Sequence, residues 1–313
     1  MRLVLTVVAV AWISRTARPG AALDELRAAP GWVFAVPAGM LFINAGLHSL
    51  RLVVLLAGLG VEARLRDAFS AIVQAQFAGL VLPRGGGDVV KVAWLARATG
   101  RLDAVLAALA VARLIEVVPW LGLLLYGLAW GLHDRYPLLG TSAASFAMLF
   151  ALGLAVAVVV ARFGDRLAVH LPLGREPALR FARALRQLVV APRALAIASL
   201  LVVPTAALNV LSVWLVLRGY GVAMSLAEAT AVVPAADTVI SLPITVAGLG
   251  LREGVFVTFL EPWGVPESRA VAAAFTRWTG ELARAALGGV LFVASGRLSR
   301  LPSVEAPGGR EER

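Results

Sequence analysis

The sequence predicts an all-α polytopic membrane protein with an inverted structural repeat, built from about six spanning helices plus two re-entrant helical hairpins. Three observations predict it. Apolar residues make up 60% of the 313 and the mean hydropathy is +0.85. Soluble domains hold roughly 45–50%, so this chain carries more hydrocarbon than a globule can hide, and its solvent must be lipid. The charged residues, 15% of the total, cluster between apolar runs. Two stretches punctuated by proline and glycine recur in the same order in both halves of the chain.

Runs near or above the ~20 residues that cross a bilayer lie at about 1–14, 31–58, 102–130, 141–161, 193–217 and 268–296. The first is short. It has Arg2 as its one basic residue up to Ile13 and no small-x-small cleavage site before Arg15, so it reads as an uncleaved span rather than a signal peptide. Residues 20–29 form a short amphipathic stretch. An amphipathic cytoplasmic connector is expected over about 162–192, where Arg175, Arg180, Arg183 and Arg186 fall at helical spacing around Phe181, Leu185 and Leu188. That pattern suits a helix lying on an anionic leaflet. The whole of 1–300 reads as a single integral membrane domain, and 301–313 as a disordered polar tail.

Two apolar segments do not fit simple spans. Residues 65–82 end at Leu82-Pro83-Arg84-Gly85-Gly86-Gly87-Asp88, and the helix that follows, about 89–99, is too short to cross ~30 Å at 1.5 Å per residue. Residues 226–242 likewise run into Leu242-Pro243 and a glycine-rich turn, and a short helix, about 251–260, ends at Glu261-Pro262. Each reads as a re-entrant hairpin, whose non-helical tip is tolerable only inside protein or beside water.

The hairpins belong to repeats over about 31–130 and 193–296. Gly58-Leu59-Gly60-Val61 answers Gly219-Tyr220-Gly221-Val222, Asp67-Ala68 answers Glu228-Ala229, Leu82-Pro83 answers Leu242-Pro243, and Arg113 answers Arg277. Two other spans separate the first helices of the repeats, so the two copies run in opposite directions, as in transporters whose broken helices meet near the midplane. Orientation follows from arginine. The loop 162–193 carries seven arginines against two acids and must be cytoplasmic, which places both termini inside. The loop 15–30, with three arginines against two acids, falls outside and fits the rule least well.

Composition also excludes chemistry. With no cysteine there is no disulfide, thiolate nucleophile or cysteine-held metal. The three histidines, His48, His133 and His170, make no ligand spacing. The net charge of +10 sits in membrane-flanking loops rather than in a nucleic-acid patch.

The motifs Arg51-x-x-x-Leu55-Leu56, Leu82-Pro83-x-Gly85-Gly86-Gly87-Asp88-x-x-Lys91, Arg113-x-x-Glu116 and Leu242-Pro243-x-x-x-x-Gly248-Leu249-Gly250-Leu251-Arg252-Glu253 resemble the transmembrane domain of the lysylphosphatidylglycerol synthase/flippase family, over about residues 1–297. The resemblance implies translocation of aminoacylated phosphatidylglycerol or another membrane lipid, and some relatives are linked to polyprenol glycosylation. The soluble aminoacyltransferase domain of full-length synthases has no counterpart in these residues, so no synthase activity is expected of them. Lys91 stands where many relatives place arginine, which keeps the charge and loses the bidentate fork.

The residues at the tips suggest how such a lipid is held. At the first tip Pro83 ends the incoming helix, Gly85, Gly86 and Gly87 permit tight positive-φ backbone, and Asp88 can cap the outgoing helix. Free amides at that helix start, beside Arg84 and Lys91, would bind phosphate; a plain turn in an exposed loop is the alternative. At the second tip, Gly248 to Glu253, Thr245 can reach a head group and Arg252 adds charge. Glu253 pairs with Arg252 or with an arginine of the other repeat, or the two simply close the hairpin.

Five ionised residues lie mid-span: Arg113, Glu116, Arg277, Glu281 and Arg284. Each costs at least ~2.5 kcal/mol in a lone helix and is therefore either functional or a brace between the repeats. Asp237 is a proton carrier or a partner for Arg113 or Arg277. Arg51 is expected to snorkel to the cytoplasmic surface, and Asn44, Asn209 and His48 to make interhelical contacts.

The expectation is a flippase for an anionic, aminoacylated or polyprenyl-linked lipid, using a cationic cavity in the cytoplasmic membrane. It needs no cofactor or metal, and its binding partner is a membrane phospholipid. Two alternatives stay open: a membrane partner of a lipid-modifying glycosyltransferase or aminoacyltransferase, and a membrane enzyme using Glu116, Asp237 or Glu281 as acid and base.

Overall fold

A computed structural model describes residues 19–82, 86–130, 138–168, 175–241 and 250–294. The span expected over 1–14, the tip residues Arg84, Gly85, Thr245 and Gly248, and the tail 301–313 lie outside the described residues. The described chain is all-helical: α1 (Pro19–Ala28), α2 (Trp32–Gly58), α3 (Leu65–Val81), α4 (Gly86–Thr99), α5 (Leu102–Ala129), α6 (Leu138–Ala168), α7 (Arg175–Val189), α8 (Pro192–Gly219), α9 (Leu226–Ser241), α10 (Leu251–Leu260), a short 3₁₀ turn (Glu261–Trp263) and α11 (Glu267–Ala294).

Four of these helices, α2, α5, α6 and α8, are long and apolar enough to cross a membrane. The expected span over 268–296 corresponds to α11, whose 28 residues reach about 42 Å. It carries Glu267, Arg269, Arg277, Glu281 and Arg284, and this charge keeps it out of that apolar set. The helix over the expected span 141–161 runs on to Ala168, because the amphipathic sequence around Arg162 and Arg166 continues the helical turn past the apolar run. The arms α3, α4, α9 and α10 have 17, 14, 16 and 10 residues, about 15–26 Å at 1.5 Å per residue and short of a ~30 Å hydrocarbon layer.

α2 and α8 form the longest contact and run antiparallel: Val33 meets Gly219, Asn44 meets Thr205, and Gly58 meets Ala194. Both helices stop in the same way. Gly60 (φ 69°) donates its N–H to the Ala57 carbonyl while Val61 donates to Leu56, and Gly221 (φ 73°) donates to Arg218 while Val222 donates to Leu217. This is a Schellman cap, which needs a left-handed residue at its turn, and glycine takes that conformation without a Cβ penalty. α9 opens with a capping box: the Glu228 amide donates to Ser225 Oγ and the Ser225 amide to Glu228 Oε2.

Small residues let the remaining helices approach closely. α11 lies against α3 with Gly288 on the Val73 carbonyl, and Gly280 faces Ala38 and Leu41 of α2. Alanines 104, 107, 108 and 112 of α5 and 270, 272, 273 and 274 of α11 are buried. One apolar core gathers α8 to α11, and a second gathers α2 to α5. α7 buries Ala182, Leu185 and Leu188 against α5 and α6 and leaves Arg175, Arg180 and Arg183 exposed.

Candidate functional site

Charged side chains from separate helices gather into two clusters. The first forms where α2, α4, α5 and α11 converge. Arg51 is the only ionised residue on α2, and its side chain is 4% exposed. The expected snorkelling to the surface is therefore corrected. Arg51 turns inward, donating through Nη2 to His48 Nδ1 at 2.8 Å and to Glu116 Oε2 at 3.4 Å. A guanidinium can only donate, so Nδ1 accepts, and the proton of a neutral ring sits on Nε2, 3.8 Å from Glu116 Oε1.

Glu116 also accepts from Arg113 Nη1 at 3.4 Å. Arg113 Nη2 in turn lies 3.6 Å from Asp88 Oδ1, and Lys91 Nζ donates to that same oxygen at 2.7 Å. The helical spacing of Asp88 and Lys91 on α4 and of Arg113 and Glu116 on α5 sets each pair on one face. Arg284 reaches in from α11, donating to the Leu41 carbonyl at 3.4 Å. Between these groups is a cavity of about 210 Å³, lined by His48, Arg51, Gln76, Lys91, Arg113, Glu116 and Arg284 and walled by Leu52, Ile72 and Leu109. Arg113 stands at its mouth, 66% exposed. Arg51 Nε and Nη1 and Arg284 Nε are buried without a hydrogen-bond partner among the described residues.

In the second cluster each arginine has a carboxylate partner, although Arg252 Nε and Arg277 Nη1 are buried without a hydrogen-bond partner among the described residues. Asn209 of α8 donates to Asp237 Oδ2 of α9 at 2.8 Å, and Arg277 of α11 donates to Asn209 Oδ1 at 3.0 Å and to Asp237 Oδ2 at 3.3 Å. One turn on, Glu281 accepts from Arg252 Nη2 of α10 at 3.0 Å. Glu253 does not join these pairs. Its Oε2 accepts the Gly250 N–H at 2.7 Å and so caps α10, with Gly250 at φ 81°.

Sequence-selected residues thus separate into Asp88, Lys91, Arg113 and Glu116 around the first cavity and Asp237, Arg252, Arg277 and Glu281 in the second cluster. Gly86 and Gly87 open α4, Gly87 packing against the Ala75 carbonyl and Gly79. Arg284, one of the five mid-span charges, lines the first cavity with His48, Arg51 and Gln76, and Asn209 joins the second cluster; the sequence assigned His48, Arg51 and Asn209 to contacts or the surface and did not single out Gln76. One signal was available: a lone arginine on an otherwise uncharged spanning helix requires a partner. Larger clefts of about 430 and 880 Å³ open around Asp67, lined by Arg97 in one and by Glu62 and Arg64 in the other, and one of about 530 Å³ is lined by Arg101, Asp103, Arg180 and Arg183. Among the described residues no group of histidine, aspartate and glutamate could hold a metal ion.

A family model described as the lysylphosphatidylglycerol synthase TM region matches residues 1–277. No curated protein and no solved structure matches the chain.

Proposed function

The chain belongs to the lysylphosphatidylglycerol synthase transmembrane-region family, and from that premise we propose that it moves a phospholipid between leaflets, passing the head group through the cavity beside Arg51 and Arg113. The family gives a membrane-lipid role. The observation that carries the finer reading is the cavity itself: four cationic side chains from α2, α4, α5 and α11 around about 210 Å³, with Arg51 buried at its wall and Arg113 exposed at its mouth. Charges at such depth are costly unless they serve a substrate or one another. Here the buried Nε and Nη1 of Arg51 have donors to spare. A phosphate fits guanidinium donors of this kind.

On this reading the hairpins α3–α4 and α9–α10 are re-entrant from opposite faces and the two halves are inverted copies. The antiparallel α2–α8 pair supports it, as do the matching Schellman caps and the packing of α11 on α3 and α5 on α9. Asn44 bonds a residue 161 positions away, and the same offset relates His48 to Asn209, Gln76 to Asp237 and Gly60 to Gly221. Both termini face the cytoplasm, and acyl tails stay in the bilayer while the head group passes. The protein performs no bond chemistry of its own.

The test is leaflet transfer of fluorescent phospholipid in proteoliposomes, read by dithionite bleaching of the outer leaflet. The wild-type chain speeds transfer over protein-free vesicles, and Arg113→Gln lowers the rate at least ~10-fold with the elution profile unchanged. Transfer indistinguishable from empty vesicles would sink the proposal.

A further inference from the structure

We propose that the first cavity is selective for head-group charge: it takes a phospholipid whose head group is net negative and discriminates against one bearing a free ammonium, with Arg284 as the residue that sets this preference. The inference rests on the reading of this cavity as the head-group site and adds the substrate class.

The argument is a charge count. Four cations, Arg51, Lys91, Arg113 and Arg284, meet in the cluster, and two carboxylates answer them, Asp88 and Glu116. Asp88 is shared by Lys91 and Arg113, and Glu116 by Arg51 and Arg113. His48 adds no charge while Arg51 donates to its Nδ1, because that nitrogen must then be unprotonated. Two positive charges are left without a counterion among the described residues.

Arg284 is the clearest of the four. Among the described residues no carboxylate forms an ion pair with it. Glu281, one turn back on α11, attracts Arg284 through space but is bonded to Arg252 at 3.0 Å. The acceptor Arg284 has is the Leu41 carbonyl, at 3.4 Å, and its Nε is buried and unpaired. The second cluster lacks this surplus, since Arg277 has Asp237 and Arg252 has Glu281.

A phosphate group supplies the missing negative charge and accepts from several guanidinium N–H groups at once. An ammonium brought to the same place meets like charge, with no free carboxylate to receive it. The volume of about 210 Å³ is below the ~300 Å³ at which drug-sized pockets begin and has room for a phosphate group.

The experiment measures equilibrium binding of tail-labelled lipids to the purified full chain in neutral detergent, with phosphatidylglycerol against lysyl-phosphatidylglycerol, and inorganic phosphate as competitor. Phosphatidylglycerol binds at least ~10-fold more tightly than its lysylated form. Arg284→Gln lowers that ratio at least ~3-fold, since one surplus cation remains, and Arg284→Lys keeps a ratio close to that of the wild-type chain. Millimolar inorganic phosphate leaves the lipid bound. Equal or tighter binding of the lysylated lipid by the wild-type chain, a comparison that needs no variant to fold, would overturn the inference. So would an unchanged ratio in Arg284→Gln, or full displacement by inorganic phosphate, which would make the ligand a soluble anion. Leaflet transfer is scored separately. Transfer without charge preference removes only this inference, while charge-selective binding without transfer removes only the flippase reading.

Discussion

Asn44 and Thr205 meet where α2 and α8 cross: the Asn44 Nδ2 donates to the Thr205 carbonyl at 2.8 Å, and both residues are buried. The two helices have glycine at their far ends, Gly219 against Val33 and Gly58 against Ala194, so the crossing is close along its whole length. Asn44→Ala removes a neutral hydrogen bond between two buried residues and is expected to cost about 0.5–1.5 kcal/mol. Thermal unfolding in detergent checks it: a lower Tm with unchanged helix content is the expected result, and an unchanged Tm would mean that the bond contributes nothing at the crossing.

Gly288 shows the same dependence on close approach. A Cβ there would run into the Val73 carbonyl on α3, and backbone cannot step aside as a side chain can. Gly288→Ala is therefore expected to destabilise by about 1–3 kcal/mol, as overpacking does. Gly122 in α5 has nothing within 4 Å of an added Cβ, so Gly122→Ala should be neutral or stabilise by roughly 0.5–1 kcal/mol through helix propensity. Tm values for the pair, taken in one detergent, test whether the α3–α11 contact is as close as it stands.

Much of this architecture is legible in the sequence because it follows from local rules. The apolar runs mark α2, α5, α6 and α8, the spaced arginines mark α7, and Gly60 and Gly221 mark equivalent helix ends. What is illegible depends on which helix lies opposite. Arg51 reads as a surface residue until α5 brings Glu116 to within 3.4 Å of it. Arg284 reads as one more charge of the second repeat, yet it lines the cavity of the first because α11 crosses α2 and α3. Glu253 reads as an ion-pair partner, but a glycine amide three residues back, at 2.7 Å, satisfies it locally.

Arg51 and Glu116 should be strongly coupled. The Arg51 side chain is 4% exposed, so Glu116→Gln leaves a buried cation short of its counterion. Such breaks cost about 3–5 kcal/mol, whereas replacing both partners by apolar groups of similar size is often near neutral. Glu116→Gln is expected to lower stability more than the double variant Arg51→Met with Glu116→Leu. A double-mutant cycle on Tm or on urea unfolding in mixed micelles gives the coupling. Additive effects, within about 0.5 kcal/mol, would mean that Arg51 is held mainly by His48.

Asp237 provides the last discrimination, between a proton carrier and a structural counterion. Its Oδ2 accepts from both Asn209 and Arg277, and its Oδ1 faces Arg277 at 3.4 Å, so both oxygens are engaged by donors. A carrier must give up such contacts each time it is protonated, and the buried Arg277 would then be left uncompensated. The arrangement favours the counterion. Asp237→Asn should therefore destabilise by about 3–5 kcal/mol, and Asp237→Leu with Arg277→Met should recover most of that loss while keeping leaflet transfer and its pH profile. If the double variant folds, with wild-type elution and Tm, yet has lost transfer or its response to pH, Asp237 carries the proton and the second cluster is part of the transport path.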